Sequence, residues 1–173
     1  MTKIIAERMT AKIEGDFVVF LIGMRINKFW KFWKWMPVAR QMPRMLVELA
    51  KHPELGLLHA RTHFGLRNVM VVQYWRSFEH LHAYSVARDR EHLPAWAAFK
   101  RQVAMNGDVG IWHETYLVRA GEYETVYGNM PPYGLGLAGE LVPAAGKARS
   151  AKGRLSRADG ADQPILDDGS EAG

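Results

Sequence analysis

The spacing of apolar side chains divides this chain into short strands and amphipathic helices. Residues 1–15 are mixed and read as irregular. From Phe17 to Ile26, FVVFLIGMRI is continuously apolar and rich in β-branched and aromatic residues, which predicts a strand covered on both faces. Val38, Met42, Met45, Leu46 and Leu49 then recur at helical spacing, so residues 37–51 read as one helix with a buried face. Pro37 suits its first turn, and Pro43 should kink it or split that turn off. His52-Pro53 ends it. LLHARTHF at 57–64 alternates imperfectly and predicts a second strand. GLRN at 65–68 turns the chain into a third strand, residues 69–75.

Two helical pieces follow, at about 77–87 and 92–105, separated by the charged run Arg88-Asp89-Arg90-Glu91. VGIWHETYLVR at 109–119 predicts a fourth strand, and 123–127 a short strand that could hairpin onto it. Residues 129–137 form a Pro/Gly-rich loop. From 143 to 173 the chain is rich in Ala, Gly and Ser, with few large apolar residues to offset ordering entropy, so it reads as a disordered tail after one domain at 1–142. The order strand–helix–strand–strand–helix–strand is the ferredoxin-like βαββαβ layout of the α+β class: an antiparallel sheet with helices on one face. The apolar first and third strands imply that the other face is also covered, which a second copy would do.

Composition narrows the chemistry. The chain has 173 residues, no cysteine and a formal charge of +5. The missing thiols remove disulfides and thiolate catalysis. The basic residues are dispersed, so no nucleic-acid partner is expected. The first residues have no continuous apolar core resembling a secretory signal, and the expected compartment is the cytoplasm. Residues 27–36, NKFWKFWKWM, set three lysines among five aromatics including Trp30 and Trp33. They read first as a crossover packed on the core, next as a wall or lid over an apolar ligand, and last as a membrane-surface patch.

Candidate catalytic groups are few. His113 lies mid-strand with Ile111 and Thr115 on its face, while Trp112, Glu114 and Tyr116 share the other. It is either a hydrogen-bonded core histidine or a pocket base or axial ligand. His92 is either a helix-start surface histidine or a pocket group that ligates haem iron or acts as a base. Glu114 would need a partner if buried, and Arg25 is a candidate. Trp75, Trp96, Trp112 and Tyr116 join Trp30, Trp33 and Glu114 as candidate substrate contacts. His80 and His82 lie about 200° apart around a helix and cannot share an ion. Glu79 and His82 could, but no third ligand is fixed. His59 and His63 share a strand face about 13 Å apart, too far for one metal. No metal site is expected. Asn129-Met-Pro-Pro-Tyr133 reads as a stiff strap across a dimer or as a pocket rim.

VVQYWRSFEHLHAYSVARDREHLPAWAAF is similar to the dimeric α+β barrel superfamily, which includes antibiotic-biosynthesis and haem-degrading monooxygenases. With WHETYLVRAGEYETVYGNMPPYGLGLAG it resembles more closely the fumagillin-pathway monooxygenase-like family, designated DUF4188, over roughly residues 8–142. The resemblance implies a homodimer with a pocket between each sheet and its second helix. Haem-degrading relatives use a helix Trp and a downstream His; those positions fall on Tyr84 and roughly on His92. Cofactor-free relatives use a shaped pocket with a few polar groups. The function expected is a monooxygenase-like enzyme acting on a hydrophobic small molecule, with haem or with no cofactor. The alternative is a barrel that binds haem or an apolar metabolite without turnover.

Overall fold

The apolar runs foreseen at 17–26, 57–64 and 69–75 are strands in the computed structural model, which describes residues 3–87 and 107–155. In chain order the elements are β1 (Met9–Lys12), β2 (Phe17–Ile26), α1 (Phe32–Ala39), α2 (Gln41–Lys51), β3 (Leu57–Phe64), β4 (Asn68–Trp75), α3 (Phe78–Val86), β5 (Val109–Val118), α4 (Leu135–Ala138), β6 (Glu140–Pro143) and α5 (Ala151–Arg154). The second predicted helix, 92–105, lies outside the described residues. The described chain falls into two compact units, residues 17–117 and residues 3–16 with 118–155.

In the first unit the sheet order is β3-β4-β2-β5. This is the ferredoxin-like arrangement, with the first and third strands of the βαββαβ motif at the centre. β2 and β4 pair antiparallel from Val18↔Trp75 to Arg25↔Asn68. Paired residues share a face, so Val18, Phe20, Ile22 and Met24 lie beside Trp75, Gln73, Val71 and Met70's neighbour Val69 under the helices. Val19, Leu21, Val72 and Tyr74, all half-buried, occupy the outer face. A register shift between Leu57 and His59 puts His59, Arg61 and His63 on that outer face, opposite Tyr74, Val72 and Met70. Nε2 of His59 is buried without a hydrogen-bond partner. Burial and, secondarily, the Arg61 charge hold its pKa below the ordinary range, favouring the neutral ring.

The segment predicted as one helix over 37–51 is two helices that meet at Arg40. The first starts earlier, inside the aromatic run, because helical geometry there turns Trp35, Val38 and Ala39 onto Met24, Ile26 and Val109. Pro37 lies inside it rather than at its start. Pro43 occupies the first turn of α2, where the missing N–H has no intrahelical partner to lose; the split foreseen from Pro43 falls just before it, at Arg40. Ser77 caps α3, accepting from the backbone N–H of His80 at 3.4 Å and bonding its Nδ1 at 2.9 Å. From that cap, Leu81 and Tyr84 pack on Val18, Leu49 and Trp75 to form the main core.

In the second unit β1 pairs antiparallel with β6, from Met9↔Pro143 to Lys12↔Glu140. Residues 123–127, predicted as a strand on the fourth strand, instead lie along β1. Only Tyr127 bridges, to Met9. The hydroxyls of Tyr123 and Thr125 accept from the backbone N–H of Ile13 and Ala11 at 2.7 and 2.8 Å, so side chains replace a ladder there. Burial raises the pKa of Tyr127. Residues 144–155 carry a 3-10 turn and α5, where the buried Arg154 pairs with Glu124 and donates to the carbonyls of Ala148 and Arg149. Among the described residues no helix is long and apolar enough to cross a membrane.

Candidate functional site

The sheet does not meet its helices everywhere. Between the β2–β4–β5 surface, the α1–α2 junction and α3 lies a cavity of about 800 Å³. The floor is Phe20, Ile22 and Met24 of β2 with Val69 and Val71 of β4. Val38, Ala39, Gln41, Met42 and Met45 wall one side. α3 contributes Phe78, Leu81, His82 and Ser85, an i, i+3, i+4, i+7 stripe. β5 contributes Ile111, His113 and Thr115, the alternate residues of one face. The lining is mostly aliphatic, aromatic and thioether, with a few polar groups. This is the usual composition of a site for an apolar small molecule.

His113 and Thr115 are the polar groups that β5 presents to the cavity. The His113 ring lies 5.6 Å from that of Phe20, tilted by 41°, and strand pleating aims it at the same space as Ile111 and Thr115. On the helix side, the His82 ring stacks on Phe78, with centroids 5.9 Å apart. Ser85 Oγ donates to the His82 carbonyl at 2.7 Å. The described lining therefore offers two imidazoles, two hydroxyls and the Gln41 amide. His82, weighed from the sequence only as half of a metal pair, is a cavity residue. Gln41, Ser85 and Thr115 went unnoticed as site residues, although the α3 stripe and the β5 alternation carry the signal for the last two.

The remaining candidates are dispersed. Tyr84 is 5% exposed and belongs to the core; its ring lies 5.9 Å from that of Trp75, and its hydroxyl donates to Glu48 at 2.8 Å. Trp75 is 1% exposed, and its Nε1 donates to Gln73 Oε1 at 2.8 Å. Neither belongs to the described cavity lining. Trp112 borders the cavity but lays its indole over Gly23, where an added Cβ would come within 2.7 Å of Nε1; only glycine permits that approach. Glu114 accepts from the Tyr116 hydroxyl at 2.6 Å rather than pairing with Arg25, on the face opposite His113. That bond raises the Tyr116 pKa. Trp30 and Trp33 are exposed. His92 and Trp96 lie outside the described residues.

Among the described residues no cluster of three His, Asp or Glu side chains could hold a metal ion. The described lining does not fit a haem either. Its histidines offer ring nitrogens, but it includes no Lys or Arg to meet two propionates.

The chain is 27% identical over 158 residues to monooxygenase af470 of Aspergillus fumigatus, an alignment covering 79% of this chain and 55% of that protein. It thus spans about half the length of the curated relative it matches. Among solved structures it is similar to SnoaB, a cofactor-independent oxygenase of Streptomyces nogalater, at 12% identity and a TM-score of 0.44 over 60% of this chain and 94% of that one. It is also similar to a dimeric ferredoxin-like protein of unknown function from Jannaschia sp. CCS1, at 18% identity and a TM-score of 0.40 over 56% and 97%. The family model for monooxygenase af470-like proteins matches residues 17–135, the sheet and cavity-bearing part, and the chain belongs to that family.

Proposed function

We propose that this protein is a monooxygenase that oxidises a hydrophobic, ring-containing substrate with O₂ in the cavity between its sheet and helices. The observation that carries the reading is the placement of His113. Its imidazole lies on the wall of a mostly apolar cavity whose α3 stripe adds His82 and Ser85. The substrate supplies the electrons. His113 takes a proton from an activated CH₂ or phenolic OH, and the resulting electron-rich anion reduces O₂. For an activated CH₂ the balance is one O₂ consumed, one oxygen retained as C=O and the other released as water. Thr115, Ser85 and Gln41 orient the substrate's oxygen atoms, and the Met24, Met42 and Met45 thioethers adapt to its rings. The chain's own contribution is general-base assistance and positioning.

We propose further that the working form is a cytoplasmic homodimer. The outer sheet face carries Val19, Leu21, Met70 and Val72, and a second copy would bury them. Trp112, Glu114 and Tyr116 would then lie toward the interface. Isotopically labelled O₂ supplied with an anthrone- or quinol-type substrate tests the reaction: mass spectrometry should find one labelled oxygen in the product. Binding of the substrate without any labelled product would instead make the barrel a carrier.

A further inference from the structure

The aromatic–lysine segment leading into α1 is not uniformly packed on the core. Trp35 alone of the two Phe and three Trp side chains at 29–35 turns onto Met24, Ile26 and Val109, and its Nε1 donates to the Phe29 carbonyl at 2.9 Å. Lys28 and Lys31 reach the buried Asp108 carboxylate at 2.8 and 3.1 Å. The Asp108 carbonyl accepts from the backbone N–H groups of Asn27 and Lys28. These contacts hold the segment in place and leave its other rings outside. Phe29, Trp30, Phe32 and Trp33 are 45%, 66%, 61% and 56% exposed. Phe32 and Trp33 pack edge to face, with centroids 5.3 Å apart, so the exposed rings form a built surface rather than loose ends.

Adjacent exposed aromatics at this density mark a docking surface. Its charges identify the occupant. Lys28, Lys31 and Lys34 interleave with the rings, and the single Asp108 carboxylate offsets only one of the three. Pressing the patch against itself in a second copy would oppose like charges, and the outer sheet face already offers an apolar surface for that copy. Tryptophan and phenylalanine at the level of lipid headgroups, with lysines beside the phosphates, satisfy both features together. α1 continues from this surface to Val38 and Ala39, which wall the cavity.

We propose that residues 28–34 dock this protein onto the headgroup zone of an anionic phospholipid bilayer, placing the cavity-bearing unit beside the phase in which apolar compounds dissolve. The proposal does not depend on the cavity being catalytic. The test is co-sedimentation of the full chain with phosphatidylcholine vesicles, with and without phosphatidylserine, read together with tryptophan emission. Wild type should bind the phosphatidylserine vesicles, with a blue-shifted emission and binding weakened by salt. Trp30→Ala/Trp33→Ala should bind roughly tenfold or more weakly with an unchanged thermal melt, since both rings are more than half exposed. Lys34→Glu should lose binding to the anionic vesicles as well. Failure of wild type to sediment with either vesicle overturns the proposal. So do tryptophan and lysine variants that bind like wild type, or a change of oligomeric mass in the double variant, which would assign the patch to protein contact.

Discussion

Replacing Trp75 with Phe removes a hydrogen bond that cannot be replaced by water. Trp75 is 1% exposed and Gln73 4% exposed, and the indole N–H donates to the Gln73 carbonyl oxygen at 2.8 Å. On Trp75→Phe that oxygen is stranded, which costs about 1–3 kcal/mol. The smaller ring also gives up packing against Val18, Leu49, Leu81 and Tyr84, adding roughly 1–2 kcal/mol. The expected loss is therefore about 2–5 kcal/mol, measured as the shift in urea midpoint at constant slope. Gln73→Met then separates the two contributions. In Trp75→Phe/Gln73→Met no polar atom is stranded, so the double variant should be more stable than the two single losses added together predict, by about 1–2 kcal/mol. The Gln73 amide's contact with Met42 Sδ, at 3.9 Å, is too long to change this. Additive losses, or a Trp75→Phe cost below about 0.5 kcal/mol, would refute the reasoning.

Gly56 sits at φ +87, and an added Cβ would come within 2.5 Å of the His80 ring; Gly15, at φ +72, has open space around it. Thermal unfolding of Gly56→Ala should therefore show a loss of roughly 2–4 kcal/mol, and of Gly15→Ala only the backbone strain of about 1 kcal/mol. Asp108 provides a pH signature. The Lys28 hydrogen bond, with help from Lys31, holds its pKa below the usual 3.8. A lowered acid pKa means that the tether's contribution is complete above the ordinary aspartate range and fades as pH falls through the lowered value. Asp108→Asn should accordingly destabilise the protein near neutral pH, and its difference from wild type should shrink in acid, as followed by unfolding curves across pH. A pH-independent difference would show that the carboxylate's charge is not what holds the 27–31 segment.

The strands were legible because their signals are local and redundant. FVVFLIGMRI and NVMVVQYW have the length, β-branching and flanking turns of buried strands, and each falls within one residue of its expected limits. A break in the 37–51 helix was legible from Pro43, but the start of the first helix at Phe32 was not, because it depends on Trp35 finding Met24, Ile26 and Val109, a contact no local window contains. The 123–127 segment failed for a related reason. Tyr123 and Thr125 look like strand residues, but their hydroxyls take the backbone donors of Ile13 and Ala11, more than a hundred positions away. In the site, strand alternation placed Ile111, His113 and Thr115 on the cavity face and paired Glu114 with Tyr116 on the other, whereas Trp112 also borders the cavity. Tyr84 was singled out as the position of the relatives' helix Trp, and Trp75 as a substrate contact at the strand end; both lie in the core. The family resemblance carried by the WHETY and YGNMPPYGL stretches is borne out by the family match.

The central claim is that His113 serves as the base for an oxidation in which the substrate itself supplies the electrons. Oxygen uptake by the purified protein, with an anthrone- or quinol-type substrate and no added cofactor, tests it most directly. Wild type should consume O₂ in proportion to product. His113→Ala should lower kcat by about a hundredfold or more while KM changes little, because an interaction made chiefly in the transition state has been removed. Oxygen uptake that survives His113→Ala unchanged would contradict the claim.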